Sequence, residues 1–401
     1  MKNGVEFIPS GSVTSPAGFQ AGATGAGIKK KSGLDLGILS SEVICVTAGM
    51  FTTNRVKAAP VILCQQRLRS GKARAVVVNS GGANACTGER GLVDGEEMAA
   101  LAAGVVGAAP EEVLVASTGV IGRPLPMARL RVGMGQITLS RDGGHELARA
   151  IMTTDTVPKE AAVGVEGSGV IIGGAVKGSG MIHPDLATLL CFLTTDASVE
   201  LDFLRSALRR AVDKSFNMVS VDTDTSTNDT VLILANGRAG GKTITRGGRQ
   251  AGAFQQALDK LCIHLAKATA RDGEGATRLI EVIINGAPGL AEARLVARAI
   301  VSSSLVKSAV HGSDPNWGRI LAAVGWSGVE VVLGKIELYI GDICLVRDGC
   351  PLPFNEAEVV QVLKGNEVPI ALNLNLGNAA ATAWGCDLSE EYVTINSQYM
   401  T

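Results

Sequence analysis

Apolar residues fall along the chain in two periods. Residues 203–212 place Phe203, Leu204, Ala207, Leu208, Ala211 and Val212 on one helical face. Phe254, Leu258, Leu261, Cys262 and Leu265 do the same over 254–265, so both stretches predict core-packing helices. Further helices are expected at about 96–106 and about 290–305. Short apolar runs bounded by glycine or polar residues predict buried strands: Ala73 to Val78, the run inside "EEVLVASTGVIG" (111–122), "DTVLILA" (229–235) and 279–284. Strands are also expected at 329–333, 335–340 and 342–346, and "IALNLNL" (370–376) alternates as a half-buried strand does. Helices and strands interleave without an internal repeat, which gives an α/β class. The expected division is a large α/β domain over 1–286, a smaller α/β domain over 287–376 after the linker "NGAPGL" (285–290), and a tail over 377–401.

Composition narrows the function classes. The 401 residues are 46% hydrophobic and 19% charged, enough for a large core. Gly counts 50 and aromatics 3%, which suits tight turns and close backbone approaches, with no collagen-like period. A net charge of −1 argues against a nucleic-acid partner, and the run Lys29-Lys30-Lys31 reads as an ordinary solvated turn. The cysteines at 45, 64, 86, 191, 262, 344, 350 and 386 form no CxxC pair and read as reduced thiols of a cytoplasmic protein. The histidines at 145, 183, 264 and 311 have no metal-ligand spacing, so no metal is expected. No apolar run is long enough for a membrane span, and the first residues lack the apolar region of a signal peptide.

Several motifs separate under their bland readings. "VLILANGRAGGKT" looks like a P-loop, but Gly237 is one residue too close to Gly241, and a hairpin loop is expected there. No GxSxG elbow occurs. "SVDTDTSTNDT" (220–230) lacks the glycine and closing glutamate of a Ca²⁺ loop and reads as a hydrogen-bonded polar turn. "TTDT" (153–156) and "RDGEGAT" (271–277) read as caps or turns. "KGSGMIHPDLATLLCFLTTDA" (177–197) is different: Lys177 suits a carboxylate, Gly178 and Gly180 admit a close ligand, and Ala187-Thr188 sets a small residue before a hydroxyl. That pair is open to backbone self-cleavage, which would free a threonine whose own amine serves as base. "STGVIG" adds two oxyanion donors, the Thr118 hydroxyl and the Gly119 N–H, where a plain turn is the alternative.

"FTTNRVKAAPV" (51–61), "NSGGANACTG" (79–88), "STGVIG" (117–122), "KGSGMIHPDLATLL" (177–190), "SFNMVSVDTDTSTNDT" (215–230), "RDGEGAT" (271–277), "SDPNWGRI" (313–320) and "INSQYMT" (395–401) occur in one order along the chain. With these motifs the chain resembles the ornithine acetyltransferase family of arginine biosynthesis, also called glutamate N-acetyltransferase. The resemblance implies a layered α-β-β-α sandwich, similar to that of the self-processing β-aminopeptidases. It implies a cut between Ala187 and Thr188 into chains 1–187 and 188–401, which assemble into a higher oligomer of α/β pairs. Thr188 would be the nucleophile, Thr118 and Gly119 the oxyanion hole. Thr154, Lys177, Thr188, Glu274, Asn396 and Thr401 would line the pocket for N-acetylornithine and glutamate, with Glu274 suited to the ornithine ammonium. No cofactor is implied, although some members also take acetyl-CoA as co-substrate. The chain departs from the family pattern at Gly82 (Asn expected), Thr223 (Gly expected) and Asp185-Leu186 (Asn-Met common). Two alternatives stand beside this reading: a self-processing aminopeptidase or amidase that hands the acyl group to water, and a nucleotide-binding module using 237–243.

Overall fold

A computed structural model of the chain describes residues 5–30, 32–183 and 189–398. The expected cleavage pair Ala187-Thr188 and the terminal Thr401 lie outside the described residues.

The chain runs through β1 (Phe19–Thr24), the long β2 (Leu36–Phe51), α1 (Ala59–Arg67), β3 (Lys72–Gly82), α2 (Gly88–Val106) and β4 (Val113–Val120). Helices α3 (Met127–Met134) and α4 (Gly144–Ala150) lead to the antiparallel strands β5 (Lys159–Gly164), β6 (Ile171–Lys177) and β7 (Leu190–Thr195). Next come α5 (Leu201–Lys214), the short β8 (Val219–Ser220), β9 (Thr230–Ala235) and α6 (Ala251–Arg271). The remainder is β10 (Leu279–Ala287), α7 (Leu290–Ser302), α8 (Ser304–Gly312), α9 (Trp317–Trp326), β11 (Glu337–Ile340), β12 (Ile343–Arg347) and β13 (Cys350–Pro351). It closes with α10 (Glu356–Leu363), β14 (Glu367–Asn373), β15 (Ala379–Cys386) and α11 (Glu390–Ser397).

These strands make two mixed sheets. The first has the order β4-β3-β2-β9-β7-β6-β5, with β1 paired to β2; the second has the order β13-β12-β11-β14-β10-β15-β8. Strand alternation explains how the first sheet is covered on both faces. Leu190, Phe192, Leu232 and Leu234 share a core with Leu147 and Ala148 of α4. Cys191, Leu193, Val231 and Ile233 share another with α5 and α6, through Leu204, Leu208, Leu261 and Leu265. That second core continues into Val282, Ile284, Ile370 and Leu372 of the other sheet, so helix and sheet layers stack as the α/β expectation required. It encloses apolar faces that neither sheet could bury alone.

Three expected elements differ. The helix expected over 290–305 is two helices: Ser303 leaves helical geometry at ψ 113 and its hydroxyl accepts the Val306 N–H, ending α7 and capping α8. No strand forms at 329–333. Val332 and Leu333 are exposed there, and Leu333–Lys335 is a 3₁₀ turn. The glycine loop at 237–243 is not a hairpin; it leads to Ile244, which bridges Val199 in parallel before α6.

Candidate active site

The site forms where the strands of the first sheet end. β3 and β4 run parallel, with Ser80 opposite Thr118 and Gly81 opposite Gly119, and the register slips at Gly82. Gly119 has φ 127, and a Cβ there would lie 2.4 Å from the Gly81 carbonyl carbon. Only glycine fits this close crossing. The side-chain amide of Asn228 donates to the Ala83 carbonyl (2.6 Å) and the Ser117 carbonyl (2.8 Å), tying together the ends of both strands. The backbone geometry around Thr118 and Gly119 is therefore set from two sides.

Lys177, the last residue of β6, is buried and points at this place: its ammonium donates to Thr118 Oγ1 at 3.4 Å. Burial pulls its pKa down, against the opposing pull of Asp155, Glu274 and Asp229. Asp155 lies 4.0 Å from the Lys177 ammonium and accepts hydrogen bonds from Gly178 N–H (2.7 Å), Thr153 N–H (2.9 Å) and the Lys159 ammonium (2.6 Å). Lys159 also pairs with Asp272 at 2.5 Å, and Asp272 receives the Thr156 N–H and hydroxyl. The polar clusters 153–156 and 271–277 are thus one buried ion network, although more than a hundred residues separate them.

This network sets the pocket's far wall. Thr154 shares a 2.6 Å hydrogen bond with the Ser179 hydroxyl, and Ser179 O accepts Glu274 N–H at 2.8 Å. The Glu274 carboxylate accepts Asn396 Nδ2–H at 2.8 Å, which brings α11 to the pocket. Gly180 faces Glu274 so closely that a Cβ would sit 2.4 Å from its carboxyl carbon. Asp222 fastens the rim, accepting the N–H groups of Met181 (2.5 Å) and Ile182 (2.7 Å) and the Tyr392 hydroxyl (3.3 Å) from α11.

Part of this set, including Asn228, Gly180 and Met181, lines a cavity of about 300 Å³, the size of a small amino-acid derivative. Six expected residues face it: Thr118, Gly119, Thr154, Lys177, Glu274 and Asn396. The described chain resumes at Leu189, held on both sides. Its N–H donates to Asp229 Oδ1 at 3.1 Å, and its carbonyl accepts Thr230 N–H at 3.0 Å. Burial pushes the Asp229 carboxyl well above the usual carboxylate range, against the Leu189 N–H, the Thr52 hydroxyl and the Lys177 charge. Among the described residues its second oxygen has no hydrogen-bond partner. Among the described residues, no group of His, Cys, Asp and Glu could hold a metal ion.

Sequence reasoning missed Asp155, Lys159, Asn228, Asp229 and the rim residue Arg123. A charged residue inside an apolar stretch, as Lys159 is in "TVPKEAAV", is the signal that could have found the first pair. The Lys29 turn is also more than a solvated loop. Asp35, fully buried beneath it, accepts the N–H groups of Ala26 (2.7 Å), Ile28 (2.6 Å) and Lys29 (3.1 Å).

The ArgJ family profile matches residues 20–401. The arginine biosynthesis bifunctional protein ArgJ of Dehalococcoides mccartyi is 52% identical over 405 residues, which cover 100% of both chains. The solved arginine biosynthesis bifunctional protein ArgJ of Bacillus halodurans is 45% identical, with a TM-score of 0.51 over 52% of this chain and 98% of that one. The ornithine acetyltransferase of Mycobacterium tuberculosis, solved with ornithine, is 40% identical, with a TM-score of 0.43 over 46% of this chain and 100% of that one. By sequence along nearly its whole length, the chain belongs to the ArgJ family.

Proposed function

We propose that this acetyltransferase of arginine biosynthesis moves an acetyl group from N-acetylornithine to glutamate through an ester on Thr188. The observation that carries the reading is the single cavity that joins Thr118, Gly119, Lys177, Thr154, Glu274 and Asn396, next to an anchored Leu189. The hydrolase alternative is less well supported, because a relative with half its residues identical over the full length is an arginine biosynthesis protein.

The reaction begins with maturation. The Thr188 hydroxyl attacks the Ala187 carbonyl, the peptide shifts to an ester, and water hydrolyses it. This leaves a carboxylate on Ala187 and a free amine on Thr188. The solved Bacillus chain supports such a cut, since nearly all of it matches only about half of this chain. In turnover the Thr188 hydroxyl attacks the acetyl carbonyl and its own amine takes the proton. Thr118 O–H and Gly119 N–H hold the oxyanion, and Lys177, donating to Thr118 Oγ1, leaves that hydroxyl proton free to point inward. The C–N bond breaks, the amine returns its proton to ornithine, and an acetyl ester remains. Glutamate's amine then attacks the ester and N-acetylglutamate leaves. One amide is exchanged for another, so no energy source is needed.

Lys177 suits the α-carboxylate that both amino acids share, and Glu274, steadied by Asn396, suits the ornithine ammonium. Acetyl-CoA fits the reading as a second acetyl donor, because its thioester carries the same acyl group and the relatives are described as bifunctional. The free thiols fit a cytoplasmic location.

Intact-mass measurement of wild type beside Thr188→Ala tests the reading. The expected result is two wild-type fragments divided after Ala187, an intact variant, and one acetyl mass on the 188–401 fragment after N-acetylornithine is added. A single full-length wild-type chain that takes up no acetyl would sink it.

A further inference from the structure

The proposed exchange sets a charge problem. Donor and acceptor share an α-carboxylate and an α-nitrogen, but one ends in an ammonium and the other in a carboxylate. If both are seated alike, with the α-nitrogen at the nucleophile, their opposite tail charges arrive at the same end of the pocket.

Among the described residues, three charged side chains line the cavity: Lys177, Glu274 and Arg123. Lys177 is buried deep beside Asp155 and Thr118, and in the reading above it takes the α-carboxylate that both substrates share. Glu274 is fixed between Gly180 and Asn396 and would repel a tail carboxylate. Arg123 stands apart from both. It is exposed at the rim, and no described carboxylate or carbonyl pairs with it. Its backbone is nevertheless held. Gly122 N–H donates to the Ala85 carbonyl at 2.9 Å, Pro124 follows with a fixed φ, and Leu125 is buried in the core under β3 and β4. A rigid base therefore carries over the cavity a long guanidinium that is unpaired among the described residues, able to fold in over an anion and to stay in water over a cation.

We propose that Arg123 is the residue that admits a dicarboxylate acceptor: its guanidinium takes the side-chain carboxylate of glutamate in the second half-reaction and stays out of the first. The inference rests on the acetyl-exchange reading above. It makes the pocket two-faced, with a fixed anion for the donor's tail and a mobile cation for the acceptor's. A bidentate guanidinium–carboxylate pair gives this contact direction as well as charge.

The test separates the two half-reactions in the processed enzyme. Acetyl loading from N-acetylornithine is followed by mass, and discharge is followed with glutamate or glutamine as acceptor, for wild type, Arg123→Gln and Arg123→Lys. In Arg123→Gln, loading should stay within about twofold while KM for glutamate rises about tenfold or more. The preference for glutamate over glutamine should fall by the same factor, and Arg123→Lys should recover part of it. An unchanged KM for glutamate in a variant that still loads acetyl would overturn the role of Arg123 alone. A wild type that loads no acetyl would overturn the exchange reading and this inference with it.

Discussion

Gly180 shows how much one missing atom can decide. Its absent Cβ leaves the space that the Glu274 carboxylate occupies, with all three carboxyl atoms 2.4 to 2.5 Å from where the Cβ would stand. Gly180→Ala must push that carboxylate away from Asn396. The expected outcome is a KM for N-acetylornithine raised about tenfold at nearly unchanged melting temperature. An unchanged KM would mean that Glu274 does not meet the ornithine ammonium. Thr223 shows the opposite case. It sits at φ 70, a left-handed conformation costly for a β-branched residue, at a position where the family resemblance leads one to expect glycine. Residues such as these were legible as types: a lysine before glycines, a hydroxyl before a glycine, a glutamate in a polar turn. Arg123 was not, because an arginine in a turn is ordinary until the turn is known to overhang a cavity.

At the scale of elements, the ion network of Asp155, Lys159 and Asp272 joins the segment before β5 to the end of α6. Nothing in the sequence pairs "TTDT" with "RDGEGAT", since the pairing depends on a turn, two strands and a helix being stacked first. The same limit explains Ser303, whose capping hydroxyl divides a stretch that periodicity reads as one helix. Periodicity sufficed for α5 and α6, where one face is buried along the whole length. The network also has an acid limit. Burial alone would raise the Asp155 carboxyl, but Lys177 and Lys159, with the Lys159 and Thr153 hydrogen bonds, hold it down at about 2. Its contribution to stability is therefore complete above the unfolded-state value of about 4 and is lost as pH falls through the folded value. In the uncut Thr188→Ala background, where unfolding is reversible, urea unfolding with and without Asp155→Asn should show a stability gap that is constant near neutrality and closes between about pH 4 and about pH 2. A gap that does not change with pH would mean that the carboxylate's charge is not what holds the segment.

Across the whole molecule, the pocket draws on distant parts of the chain, so its walls hold only while the layers stay stacked. The tail is fastened for this purpose. Asp387 accepts the Thr277 N–H and Arg278 N–H at 2.8 Å each, and the Ser389 hydroxyl donates to the Gly275 carbonyl at 2.6 Å, before α11 delivers Asn396. The order of the first sheet has a consequence for the molecule's history. β7 and β9 lie between β2 and β6. Under the proposed cut, two strands of the second fragment are wedged between strands of the first, bonded on both sides. Such fragments interlock like a joint that was cut after assembly: each lacks the neighbours that complete its sheet, and neither can slide in from outside. Folding must precede cutting, and the finished enzyme keeps a shape it can no longer find by itself. After full unfolding in urea and dilution, uncut Thr188→Ala should regain its thermal transition and the cut wild type should not. Equal recovery of the two would mean that the fragments carry, separately, all the instructions for the join.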